Sequence, residues 1–147
     1  MLKRITVCML LCLITCFADA QEYKIITVVE SIVSGGAGRS RMIEMKSDIN
    51  VDDFTTERTD GKKSDQGDIK RSDAKIDKFA ETKMLNFYSL VGINFQNIAS
   101  NDALISSKIN GMVKEGWKLV HVLGGVESDG GKGDNNGIFI TRYIFER

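Results

Sequence analysis

The sequence predicts an α+β domain: a small, mainly antiparallel sheet running strand, insertion, helix, strand, strand, with at least one amphipathic helix packed on one face. Three observations carry that expectation. Tyr23 to Val33, YKIITVVESIV, is rich in β-branched residues and is bounded by SGGAG, the composition of a strand closed by a turn. Ile105, Ile109, Met112 and Val113 recur at helical spacing in an otherwise polar stretch that stops at Gly116. Two apolar runs, from Trp117 to Val126 and from Ile138 to Phe145, flank the loop ESDGGKGDNNG, which reads as an antiparallel hairpin.

Ahead of these elements, residues 1–20 read as a cleavable signal peptide. Lys3 and Arg4 precede the apolar run Ile5 to Ile14, well short of the roughly 20 apolar residues needed to cross a bilayer. Small side chains at Ala18 and Ala20 suit a signal peptidase and make Gln21 the new N-terminus. The expectation is an exported chain, periplasmic or secreted, whose residues 21–147 form one domain without a transmembrane span. An alternative takes Leu13-Ile14-Thr15-Cys16 as a lipobox and Cys16 as the lipid-modified start of an envelope lipoprotein. Thr15 departs from the Gly, Ala or Ser usual at that position.

Cys8, Cys12 and Cys16 are the only cysteines, so the domain after residue 20 can form no internal disulfide. Exported domains with weak cores usually lean on disulfides; this one must rely on burial, a partner, or both. Loss of Lys3, Arg4 and Asp19 leaves 18 basic against 19 acidic residues. Between Arg58 and Lys78 the basic residues are interleaved with Asp60, Asp65, Asp68, Asp73 and Asp77. That mixed surface lacks the concentrated basic face of a nucleic-acid binder.

Along the domain, the glycines after Val33 turn the chain into RSRMIEM, where Met42 and Ile43 suit a short second strand. Residues from about 44 to 78 form a polar insertion centred on DGKKSDQGDIKRSD, expected as a polar hairpin with FTTER as one arm or as a loop. From Asp73 the spacing of Ile76, Phe79 and Ala80 admits a short helix, while MLNFYSLVGINF suits a strand equally well. Ser100-Asn101-Asp102 offer capping side chains for a helix over about 101–115, with Ala103, Ser107, Asn110 and Lys114 on its polar side and Gly116 as its C-terminal cap. In the strand that follows, alternation puts Trp117, Leu119, His121 and Leu123 on one face and Lys118, Val120 and Val122 on the other. In the last strand Ile138, Ile140 and Ile144 oppose Phe139, Tyr143 and Phe145. One helix covers one face, so the second apolar face needs a cover: the 76–96 segment or another subunit.

A YKxxxV strand, a helix ending in Glu115-Gly116-Trp117-Lys118-Leu119-Val120 and a closing strand ending in Phe145-Glu146-Arg147 resemble a small bacterial domain family of unknown function. The resemblance covers residues 23–28 and about 101–147. It implies a strand, helix, strand, strand core and a bacterial source, with no catalytic residues to carry over. The long stretch between about 34 and 99 departs from that compact pattern.

No motif supplies an enzyme. Gly35-Gly36-Ala37-Gly38-Arg39-Ser40 fails the Walker A pattern, since Ser40 and Arg41 stand where Gly and Lys belong, and Arg41 replaces the last glycine of the dinucleotide pattern. Backbone amides there with Gly36, Gly38, Arg39 and Arg41 make a weak anion-binding candidate beside a plain hairpin turn. Gly130 to Asn135 approaches a calcium nonapeptide in a single imperfect copy, with Asp129, Asp134 and Asn135 as weak calcium ligands beside the hairpin-loop reading. Asp48 to Asp53 opens like an EF-hand loop but lacks its glycine, and Thr59 replaces the closing Glu. His121 is the sole histidine, with no cysteine after residue 16 to complete a zinc site, and a sheet histidine is a commoner thing than a base. No G-x-S-x-G elbow occurs, and Trp117 reads as a core anchor. No catalytic residue, metal or cofactor is assigned. The favoured function is a non-enzymatic accessory or interaction domain that meets a protein partner or itself; a small-ligand or calcium module is the alternative.

Overall fold

The computed structural model describes residues 21–33, 38–127 and 137–147. Residues 1–20, with Cys16, Ala18 and Ala20, and the candidate residues Gly36, Asp129, Asp134 and Asn135 lie outside them. The described elements are β1 (Tyr23–Ser31), β2 (Ser40–Met45), β3 (Phe79–Met84), β4 (Tyr88–Ser89), β5 (Gly92–Ile93), α1 (Phe95–Lys114), β6 (Lys118–Glu127) and β7 (Ile138–Glu146). Two short 3-10 turns, Val51–Phe54 and Asp65–Asp68, punctuate the polar stretch between β2 and β3.

Five strands form one antiparallel sheet in the order β3-β2-β1-β7-β6. The expected α+β class holds, with one helix on a strand-rich sheet; the expected strand order does not. β2, expected at Met42 and Ile43, and β3 flank the polar stretch 44–78, so the sheet grows outward from β1 across that polar connection. β7 pairs along the whole of β1, from Tyr23 opposite Glu146 to Ser31 opposite Ile138. The β6–β7 hairpin forms as its alternating runs predict.

Period-2 alternation sends Ile26 and Val28 of β1, Met42 of β2, Met84 of β3 and Phe145 of β7 to one side, where all are buried. Met112 and Trp117 complete that core, with Ile105, Ile109, Leu119 and Tyr143 packed around it. Phe139, Tyr143 and Phe145 share one face, as the alternation predicts, and the pairing of β7 on β1 makes it the core side. Val113, which shares the helical spacing of the core residues, is 55% exposed instead.

The helix ends as predicted and begins elsewhere. Gly116 has φ +89°, its N–H bonds the Val113 carbonyl at 3.0 Å, and the Trp117 N–H bonds that of Met112 at 3.0 Å. This paired closure needs the left-handed residue that glycine supplies, and buried Trp117 and Met112 meet across it. At the other end Asn94, not Ser100 to Asp102, is the N-cap: its side chain accepts from the Asn97 N–H. Asn101 sits two turns inside, fully buried.

Two further expectations are corrected. Phe79–Met84 is a strand, because its backbone pairs along β2 from Ser40 opposite Met84 to Met45 opposite Phe79, and no helix or FTTER hairpin forms before it. Strict alternation from Trp117 also fails: Leu119 pairs with Phe145 and His121 with Ile144, leaving Val120 as the extra residue of a bulge. Leu119 and Val122 therefore share the helix side, whereas Lys118, His121 and Leu123 point outward.

Candidate functional site

Among the described residues, no second layer covers the outer face of the sheet. Ile25, Val29, Ile43, Met45, Phe79, Leu123, Ile140 and Ile144 alternate with the buried set and so lie on it. Ile25, Met45, Phe79 and Leu123 keep between 47% and 57% of their surface exposed. With strands about 4.8 Å apart and about seven residues long, the sheet plane measures roughly 600 Å², of which the apolar residues cover only part, because Arg41, Glu81, Lys83, His121 and Arg142 share this face. Segment 76–96, one of the two expected covers, does not lie across it. Its first half becomes edge strand β3, while Phe87 bonds the Ser31 carbonyl and Asn97 the Asn86 carbonyl at one end of the sheet. Ile76 reaches one corner, where it lines an open apolar recess of about 270 Å³ with Ile43, Met45 and Phe79. Beside it a polar recess of about 380 Å³ runs under the excursion, past Asp48, Asp53, Asp73 and Lys78.

Two polar centres brace the opposite, helix side. Asn101 of α1 accepts from the Leu85 N–H at 2.9 Å, donates to the Leu85 carbonyl at 2.8 Å and donates to Glu30 Oε1 at 2.7 Å. It thus clamps the exit of β3 and the end of β1 to the helix. Burial pushes the Glu30 carboxyl above the usual carboxylate range; the Asn101 bond opposes that rise and the Asp102 charge adds to it. Burial likewise raises Tyr143, helped by the charges of Glu30 and Asp102.

Glu44 is the second centre, with Lys108 at 2.6 Å, Lys46 at 2.9 Å and Lys24 at 3.9 Å. Burial alone would raise its pKa, but the hydrogen bonds and charges of Lys108 and Lys46 outweigh it and hold the carboxyl low. Lys24 also lies 4.7 Å from the Trp117 ring centroid and Arg147 4.5 Å from it, cation–π contacts that anchor the indole between two charged side chains. These groups tie strands to helix.

The sequence candidates fall in separate places. Gly38 is a packing residue: a Cβ there would come 1.6 Å from Ser31 Oγ, and its carbonyl accepts from Asn86 Nδ2 at 2.7 Å. Asn86 in turn accepts from Ser40 Oγ at 2.8 Å, stitching the turn to the chain after β3. Arg39 is exposed, and Arg41 lies on the outer face opposite Val29, donating to the Ser40 carbonyl at 2.7 Å. His121 is exposed on the outer face of β6, away from both carboxylates. Trp117, read as a core anchor, is 3% exposed. Among the described residues no group of three or more His, Cys, Asp or Glu is placed to hold a metal ion, and no helix is long and apolar enough to cross a membrane.

Sequence reading did not foresee Asn101 or Glu44 as structural centres. A signal was present for both: Asn101 stands at the i−4 position to Ile105, in line with the apolar side of its helix, and Glu44 interrupts the apolar run of β2. Comparison of the chain with protein-family models, curated proteins and solved structures returns no match.

Proposed function

We propose that this chain is an exported bacterial accessory domain that acts by binding another protein, not by catalysis. The signal-peptide pattern of residues 1–20 supports export. The observation that carries the binding reading is the outer sheet face, whose central strands present isoleucine, valine and methionine to solvent. Burying the apolar part of that surface is worth roughly 25 cal/mol per Å². The apolar recess at Ile43, Met45, Ile76 and Phe79 gives the face a notch for one protruding side chain. The carboxylates of the helix side are engaged in bracing, which favours a binding surface over a reaction centre.

A photo-crosslinking side chain placed at Ile43, with a control at Ser107 on the exposed side of α1, tests this in the producing cell. A defined protein adduct at residue 43 alone supports the reading; no adduct, or the same adducts at both positions, overturns it. Intact mass of the recovered chain tests export. A start at Gln21 supports a free exported domain, an acylated start at Cys16 moves it to the membrane as a lipoprotein, and a full-length cytoplasmic product overturns export.

A further inference from the structure

The two edges of the sheet differ in a way that points to self-assembly. Edge strand β3, FAETKM, carries Glu81 and Lys83 and is six residues long, the charged, short form that blocks edge-to-edge pairing. Edge strand β6, KLVHVLGGVE, is ten residues long and has no acidic residue, lysine, arginine or proline between Lys118 and Glu127. Its side chains are open on both sides of the sheet: Val122 and Val126 on the helix side are 53% and 63% exposed, and Leu123 on the outer side is 57% exposed. The helix therefore does not shelter this strand beyond Leu119, and among the described residues its outer edge has no strand partner.

We infer that β6 pairs antiparallel with β6 of a second copy about a twofold axis at Leu123, joining two five-stranded sheets into one continuous sheet. The sequence of the strand is complementary to itself in this register. Counting Val120 and His121 as one position, as the bulge against β7 dictates, Leu123 meets Leu123 of the other copy on the axis. Val122 then faces Gly124, and His121 faces Gly125, so that each bulky side chain lies over a glycine. Leu119 faces Val126, and Lys118 faces Glu127, placing opposite charges at both ends of the ladder. Directly opposed residues share a sheet face throughout, as antiparallel pairing requires. A symmetric pairing of this kind closes at two copies, the isologous form most homodimers take. An unrelated strand has no reason to match both the glycine pair and the bracketing charges.

Sedimentation analysis of the chain as recovered from its producing host tests the inference. The expected result is a dimer at tens of micromolar that Leu123→Glu converts to monomer, with at least a tenfold weaker association. The two introduced glutamates then oppose each other on the axis, while within each copy the new carboxylate faces Arg142 across the hairpin, so the fold is retained by circular dichroism. Glu127→Lys weakens association roughly fivefold by opposing Lys118. Ile25→Lys, on the outer face, leaves the dimer intact. This inference is independent of the outer-face reading, and the variants separate the two. A wild-type monomer at 100 μM, a dimer that survives Leu123→Glu, or a dimer abolished by Ile25→Lys would each overturn it.

Discussion

Asn101→Asp tests the polar brace that joins helix to sheet. The substitution preserves shape and keeps an acceptor for the Leu85 N–H, but removes the two N–H donors that serve the Leu85 carbonyl and Glu30 Oε1 at 2.8 and 2.7 Å. A hydrogen bond to a neutral acceptor contributes about 0.5–1.5 kcal/mol and one to a charged acceptor about 1.5–3 kcal/mol. Their loss, with two carboxylates brought into contact, destabilises the fold by about 3–4 kcal/mol at pH 7. For a domain of this size that lowers Tm by roughly 10–20 °C. The sign with pH is fixed by linkage. The introduced carboxyl and Glu30 share a proton in the folded state, so the pKa of the pair is raised, its stability is greatest in acid, and the deficit relative to wild type grows as pH rises. Thermal unfolding at pH 4 and pH 7 measures this, and adding Glu30→Gln restores a donor facing the introduced carboxylate and recovers part of the loss. A deficit that is equal at both pH values, or no rescue by Glu30→Gln, would refute the idea that these two side chains face each other.

Two further outcomes follow from the same side of the molecule and from the first turn. Glu44→Gln weakens its bonds to Lys108 and Lys46 and lowers stability by about 1–2 kcal/mol at pH 7. Because the native carboxyl is held below its ordinary value of 4.5, its contribution is present above that pH and fades as pH falls further, so urea denaturation at pH 3 should separate the two proteins less than at pH 7. Gly38→Ala forces a methyl group to within 1.6 Å of Ser31 Oγ and costs about 2–3 kcal/mol. Ser31→Gly in the same chain should recover part of the resulting fall in Tm.

The elements that sequence reading located are those in which a single local rule dominates. β1 is a β-branched run, β7 alternates cleanly, and Gly116 marks a helix end that demands a positive φ. β3 escaped because FAETKM is mostly solvent-facing, so an edge strand with Glu81 and Lys83 carries no apolar period to detect. The true start of α1 escaped for a similar reason: Phe95 is 77% exposed, and the first turns carry few core contacts. The Val120 bulge reverses the faces expected for the strand beyond it, a one-residue slip that no alternation pattern announces. The candidate surface was legible in outline, as a second apolar face lacking a cover. Which residues compose it was not, since that depends on β2 and β3 pairing with β1 across a polar excursion.

The position of β7 has a consequence for how the chain comes into being. It lies between β1 and β6 at the centre of the sheet and supplies Phe145, the most deeply enclosed aromatic ring, yet it is the last of the described elements to leave the ribosome. Until Ile138 to Glu146 have been made, β1 lacks its longest partner and β6 has none, and the pairing that closes the sheet joins Tyr23 to Glu146, far apart in sequence. Such distant contacts form late and slowly. The nascent polypeptide is thereby kept from completing its sheet until β7 has been made, however early β1 and the helix emerge.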